Sequence, residues 1–326
     1  MRAQSPNQQR RAHATNWLVG GALPIPGICR IVADYIDIIE GNCVQTLAGH
    51  PSTVIAMAVL DNGKLASGSW GASAIHVWDV ASGMLVRVLD EHSHMVISLV
   101  GLPCGKLASG SWDHTVRVWD VASGVCENVL VGHTSWVNCL VVLPRGNLVS
   151  SSDDNTIRVW DTVSSTSIFT LAEQYDRVSS MVTIPDGNLA LGYWSGDVRV
   201  WDIANNTLVW VLKGHTDRVR SLVRLLGNRI ASGSWDTTVR VWDMASGECL
   251  GILAGHTDWV NCLAVLPNGN LVSSSDKMVR VWDTTASMSG DCLSTLTHPD
   301  IVRSLAVLPC GRLVMGSDDN MVRVWE

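Results

Sequence analysis

The sequence predicts an all-β fold: seven repeated units of four short antiparallel strands, stacked round an axis and closed into a propeller. Three observations carry that prediction. Trp78, Trp119, Trp160, Trp201, Trp242, Trp282 and Trp325 are separated by 41, 41, 41, 41, 40 and 43 residues. Each closes a stretch such as "TVRVWD" (115–120), and a second short stretch, "KLASGS" or "NLVSSS", precedes it. After residue 41 no segment keeps a helical apolar period over as many as twelve residues. A fixed period of this length is the signature of an array of supersecondary units.

Within one period the elements follow in a constant order. An apolar run such as "VNCLVVL" (137–143) or "VRSLAVL" (302–308) reads as one short strand. A turn, "PCG", "PRG" or "PNG", leads to the second strand, and a polar turn leads to the strand that ends in Trp. After Trp-Asp comes another turn, often "ASG", and then an outer strand such as "CLGILAG" (249–255). A four-stranded unit of this size cannot bury both faces alone. Stacking neighbours round an axis buries them and protects the sheet edges.

These features resemble the WD40-repeat family over residues 42–326. The resemblance implies a strand order in which a structural blade starts after Gly-His and ends on the strand before the next Gly-His. Six blades are then complete by residue 296, and the seventh ends at Trp325 with three strands. Its outer strand is supplied by "CVQTLAG" (43–49), which closes the ring and hides two edges.

In this family a His, a Ser, an Asp and the Trp form a buried network that braces each blade. The resemblance places the full set at His92, Ser109, Asp113 and Trp119, at His133, Ser150, Asp154 and Trp160, and at His215, Ser232, Asp236 and Trp242. A Ser–His–Asp trio also suits a hydrolase, but repetition at positions set by the fold favours bracing. Other units depart from the set. The fourth has Gln174, Leu191 and Ser195 beside Trp201, and is expected to be the least rigid. The first has Gly71 for the Asp, the sixth is one residue short and leaves Asp276 as a shifted candidate, and the seventh has Met315 for the Ser.

Two positions per blade face the open top of the ring in this family. The first reads Trp70, Trp112, Asp153, Trp194, Trp235, Ser275 and Asp318; the second reads Thr53, Met95, Trp136, Arg177, Arg218, Trp259 and Ile301. Trp and Arg dominate the centres of protein interfaces, so Trp70, Trp112, Trp136, Arg177, Trp194, Arg218, Trp235 and Trp259 form the expected protein-binding surface. The alternative is that Trp in "GSWD" was copied with the repeat. A partner peptide carrying Arg or Lys could combine cation–π contact with the interspersed carboxylates.

Composition narrows the function. A net charge of -7 with 16% charged residues gives no general attraction for nucleic acid or an anionic membrane. No run of 18 apolar residues marks a membrane span. The 9 Cys contain no CxxC and read as reduced thiols, and no metal cluster, phosphate loop or cofactor motif stands outside the repeat. A non-enzymatic scaffold that binds other proteins or peptides within a multiprotein complex is the expectation, in the cytoplasm or alternatively the nucleus. Residues 1–22, with the polar stretch "SPNQQRRAHATN" (5–16), are expected to be disordered. Arg2, Arg10, Arg11 and Arg30 without an acid in the first 33 residues suit a transit peptide, but Pro24 and Pro26 interrupt that segment. Ile28, Ile31, Val32, Tyr35 and Ile39 make 23–41 an amphipathic helix. The Leu-Pro followed by an Ile-rich helix resembles a fragment of an F-box, which gives the second reading: a substrate receptor of a ubiquitin ligase, with this helix as its hook. The family's other ligase signature, Arg or Lys two places after Trp-Asp, is absent.

Overall fold

In a computed structural model of the chain, residues 41–172, 176–184, 187–284 and 290–326 are described. The segment 1–22 and the helix expected at 23–41 lie outside them except for Gly41, and Gln174 does too. Strands are numbered β1 to β28 along the described chain, and they form seven four-stranded sheets. The first blade joins β2 (Val54–Val59), β3 (Leu65–Ser69), β4 (Ile75–Asp79) and β5 (Met84–Leu89) in chain order. All strand pairs within it are antiparallel. The next five blades repeat that order.

The seventh blade is the exception. It contains β26 (Val302–Val307), β27 (Leu313–Ser317) and β28 (Met321–Trp325), and its outer strand is β1 (Cys43–Ala48) from the other end of the repeat array. Leu47 stands opposite Val322 and is buried to 1% exposure among Val54, Leu65, Trp78 and Val324. Truncating its side chain by an isopropyl group leaves a cavity across the ring closure. Leu47→Ala should therefore cost about 2–5 kcal/mol, read as a lowered urea midpoint. Val44→Ala, at an exposed site in the same strand, should move the midpoint little. Equal shifts for the two would show that β1 is not clasped.

Burial along the strands explains the sequence pattern. Second strands such as Leu148–Ser152 are buried at every position, so they lack polar alternation. Outer strands such as Val125–Leu130 alternate and bury only their last residue fully. The repeating Trp packs on the blade before its own. Trp119 of the second blade sits with Leu60, Ala66, Ile75, Val77 and Leu89 of the first, and Trp78 of the first sits with residues of the seventh. Each indole is thus an inter-blade wedge, which is why one Trp recurs per period. Innermost strands are also tied across blades. Ser98 Oγ accepts from Leu140 N at 2.9 Å, Ser221 Oγ accepts from Leu263 N at 3.1 Å, and Ser304 Oγ donates to Val54 O at 3.2 Å. The last bond joins the seventh blade to the first.

Turn chemistry is equally regular. In the turns ahead of the second strand, Gly146, Gly269 and Gly311 have φ of 90°, 88° and 91°, which an L side chain rarely adopts. These are the glycines of "PRG", "PNG" and "PCG".

Candidate partner-binding face

The polar sets separate into bracing and surface groups. In the second blade His92 Nε2 lies 2.7 Å from Ser109 Oγ, His92 Nδ1 lies 2.6 Å from Asp113, and Trp119 Nε1 donates to Ser109 Oγ at 2.7 Å. The third repeats this through His133, Ser150, Asp154 and Trp160, and the fifth through His215, Ser232, Asp236 and Trp242. Ser109, Ser150 and Ser232 are fully buried and already accept an indole N–H, so none offers a hydroxyl to a substrate. Burial works to raise the three carboxyls. Hydrogen bonds from the paired histidine and from Thr115, Thr156 or Thr238 outweigh it and hold all three below the usual carboxylate range.

The incomplete sets fail in different ways. In the first and sixth blades His50–Ser67–Trp78 and His256–Ser273–Trp282 form, without an Asp on the histidine. Asp276 does not complete the sixth: its recorded contact is the backbone carbonyl accepting from Val302 N. In the seventh, Met315 gives no acceptor, and Asp319 turns to Ser317 and Arg323 instead. The fourth replaces the polar set by apolar packing, with Leu191 and Tyr193 fully buried beside Val178, Met181 and Leu189.

At the top of the ring, the two expected positions of a blade are joined directly. Backbone N–H groups of Trp70, Trp112, Asp153, Trp194, Trp235 and Asp318 donate to the carbonyls of Thr53, Met95, Trp136, Arg177, Arg218 and Ile301 respectively. One bond in each of these blades therefore brings both columns to the same rim.

There the side chains form two stacks. Trp112 lies flat on Trp136, with ring centroids 3.9 Å apart and planes 5° apart, and Trp70 meets Trp112 edge-on at 5.7 Å. Trp235 stacks on Trp259 at 4.2 Å, and Arg218 lies over both Trp194 and Trp235, at 4.2 and 5.1 Å from the ring centroids. Arg177 lies over Trp194 at 5.5 Å and reaches Asp153 at 3.5 Å. Indole faces that the sequence reading left for a partner's cation are, on Trp194 and Trp235, taken by this chain's own arginines. Large indole areas stay open nonetheless: Trp70 is 54% exposed and Trp259 47%.

Between the stacks lies a depression of ≈ 400 Å³, lined by Trp70, Trp112, Trp136, Trp194 and Trp235 with Arg177, Arg218 and Asp153. Trp259 joins the patch through its stack on Trp235. Sequence reasoning missed the floor: Ile55, Ile97, Asn138, Ser179 and Arg220. These residues also line the central channel below, of ≈ 290 Å³, together with Asn261 and Arg303. Their signal was present. Each follows the first Val of an innermost strand, a position that changes character from blade to blade while the Val stays fixed.

A larger hollow of ≈ 510 Å³ between the third and fourth blades is lined by Leu143, Val159, Ile168, Phe169 and Ile203. Arg145 and Asn147 are its polar side chains among the described residues, so it lacks the convergent polar groups that fix a ligand's orientation. Among the described residues no helix is long and apolar enough to cross a membrane, and every cysteine is free.

A model of the WD40 family, described as WD domain, G-beta repeat, matches residues 41–79, 83–120, 124–161, 165–202, 206–243, 247–283 and 290–326. Each match runs from an outer strand to the following Trp strand, so the sequence repeats lie one strand out of phase with the blades. Among curated proteins none matches the chain significantly.

Proposed function

Because this chain belongs to the WD40-repeat family, whose propellers are generally non-catalytic interaction scaffolds, we propose that it is a non-enzymatic scaffold binding protein segments through the top face. The observation that carries this reading is the pair of indole stacks around the depression, since neither stack is needed to close a blade. Trp78, Trp119, Trp160, Trp242 and Trp282 wedge the blades and are buried, whereas Trp70, Trp136, Trp194 and Trp259 are 39–54% exposed. Open, pre-stacked indoles contribute contact area at little conformational cost, which is the property of interface anchors. The cytoplasm is the compartment we take for it.

The test is quantitative affinity purification with the intact chain beside a variant in which Trp112, Trp136, Trp235 and Trp259 are all replaced by Ala. Circular dichroism checks that the variant folds. Partners captured by the intact chain are expected to fall about tenfold or more in the variant, because truncating each interface anchor typically costs about 1 kcal/mol or more. Unchanged partners would mean that the Trp rim is inherited with the repeat and that this face binds nothing.

A further inference from the structure

The floor of the depression has a charge pattern that specifies more than a binding face. Four blades place a charged or amide side chain on the inner strand opposite the first rim position; in the sixth it is Asn261, whose Nδ2 donates to Val302 O at 3.3 Å. In the third, Asn138 Nδ2 donates to the rim residue Asp153 at 2.6 Å. In the seventh, Arg303 holds the rim residue Asp318 through two bonds of 2.9 and 2.8 Å. In the fifth the inner residue is Arg220, but the rim residue is Trp235. Among the described residues Arg220 enters no ion pair. Its neighbour Arg218 lies against indole faces, and the Nε of Arg218 is buried without a hydrogen-bond partner among the described residues. Asp153, the one acid lining the depression among the described residues, is already shared by Asn138 and Arg177. From the fourth and fifth blades the depression is lined by Arg177, Arg218 and Arg220 and by no acid among the described residues, although Asp176 and Asp217 flank them in the turns, in a chain whose net charge is -7.

Resting on the top-face reading, we infer that the partner is a peptide segment with an acidic side chain, whose carboxylate docks on Arg220 as Asp318 docks on Arg303. Arg218 supplies a second guanidinium beside that carboxylate. Burial and the neighbouring Arg220 lower its pKa to about 10, which leaves it charged at neutral pH. The opposite wall, Ile55, Ile97 and Trp112, is apolar, so the segment carries an apolar residue next to the acidic one. Indole walls exclude water and strengthen the ion pair relative to an exposed one. A basic segment, by contrast, meets guanidiniums already lying on the indoles.

The experiment is a selection from a random twelve-residue peptide library on the full chain, followed by affinity measurement of recovered sequences by fluorescence anisotropy. Recovered peptides should be enriched in Asp or Glu beside an apolar residue. Exchanging that Glu for Gln in the peptide, or Arg220→Met in the protein, should each weaken binding about tenfold or more, and the two together no further than either alone. The peptide exchange carries the test even where the variant does not fold.

Recovery of basic or neutral peptides, or independent effects of the two exchanges, would overturn the inference. If those peptides still lose binding when the rim tryptophans are replaced, the scaffold reading stands without it. Recovery of no peptide at all would count against both. A phosphoserine in place of the Glu that binds more than about tenfold tighter through Arg220 would make phosphate the source of charge and overturn the carboxylate assignment.

Discussion

Ser150→Ala is expected to lower the unfolding free energy by about 2–5 kcal/mol, although the change removes a single oxygen. That hydroxyl satisfies two buried groups at once: it accepts from Trp160 Nε1 at 2.8 Å and meets His133 Nε2 at 2.7 Å. Without it an indole donor and an imidazole acceptor are both left buried and unpaired, each costing roughly 1–3 kcal/mol. The fourth blade shows the consequence: Leu191 stands where the Ser would, and Trp201 Nε1 is buried there without a hydrogen-bond partner among the described residues, a cost that the packing of Leu191 and Tyr193 offsets only in part. Urea titration by circular dichroism checks the value, with Ser164→Ala in an exposed turn as the comparison. A shift no larger than that of Ser164→Ala would mean that the network is not what braces the blade.

Acid should destabilise the ring well before the tetrad carboxylates protonate. His50 is held down to about 3 by burial and by the charge of His76, whose ring stacks on it at 4.2 Å. His256 is held down to about 4 by burial and by Arg280. Below pH 6.5 the unfolded chain protonates both imidazoles while the folded chain does not, so the unfolded state binds more protons and stability falls as pH falls. The stabilising contribution is complete above pH 6.5 and declines from there towards pH 3–4. At about 1.4 kcal/mol per pH unit for each histidine, the two together remove roughly 4 kcal/mol by about pH 5. His76, His133 and His298 are lowered too, chiefly by burial, and add to the loss.

Asp154 acts in the same direction but at lower pH. Its folded value of about 2 keeps its contribution present above the ordinary carboxylate range and loses it only as pH drops from about 4 towards 2. Denaturation midpoints from about pH 7 to pH 4 check the histidine effect. A curve flat between about pH 6.5 and 5 would rule it out, and His256→Asn should reduce its slope.

Sequence determined the architecture because the period of the Trp residues is itself a physical requirement: each indole must wedge into the preceding blade, so its spacing counts blades. It also determined the ring closure, since β28 needs a neighbour and "CVQTLAG" carries Leu47 in the phase that points inward. The three full tetrads were legible through the resemblance to the WD40 family, and the structure forms them at His92, His133 and His215. Tertiary structure alone decided what the repeat does not encode. Whether Asp276 could reach His256 depended on one missing residue in a turn, and it does not. Which indoles stack, and that Arg218 lies on Trp194 and Trp235, follow from rim residues far apart in the chain meeting across blades. Arg220 stayed hidden inside an apolar strand because its importance is relational: it is a channel cation whose blade has Trp235 at the rim, where Arg303 has Asp318. Strand pattern fixes which side a residue points to. Only the closed ring brings unlike blades to one mouth, and among the described residues it leaves Arg218 and Arg220 there without an ion-pair partner.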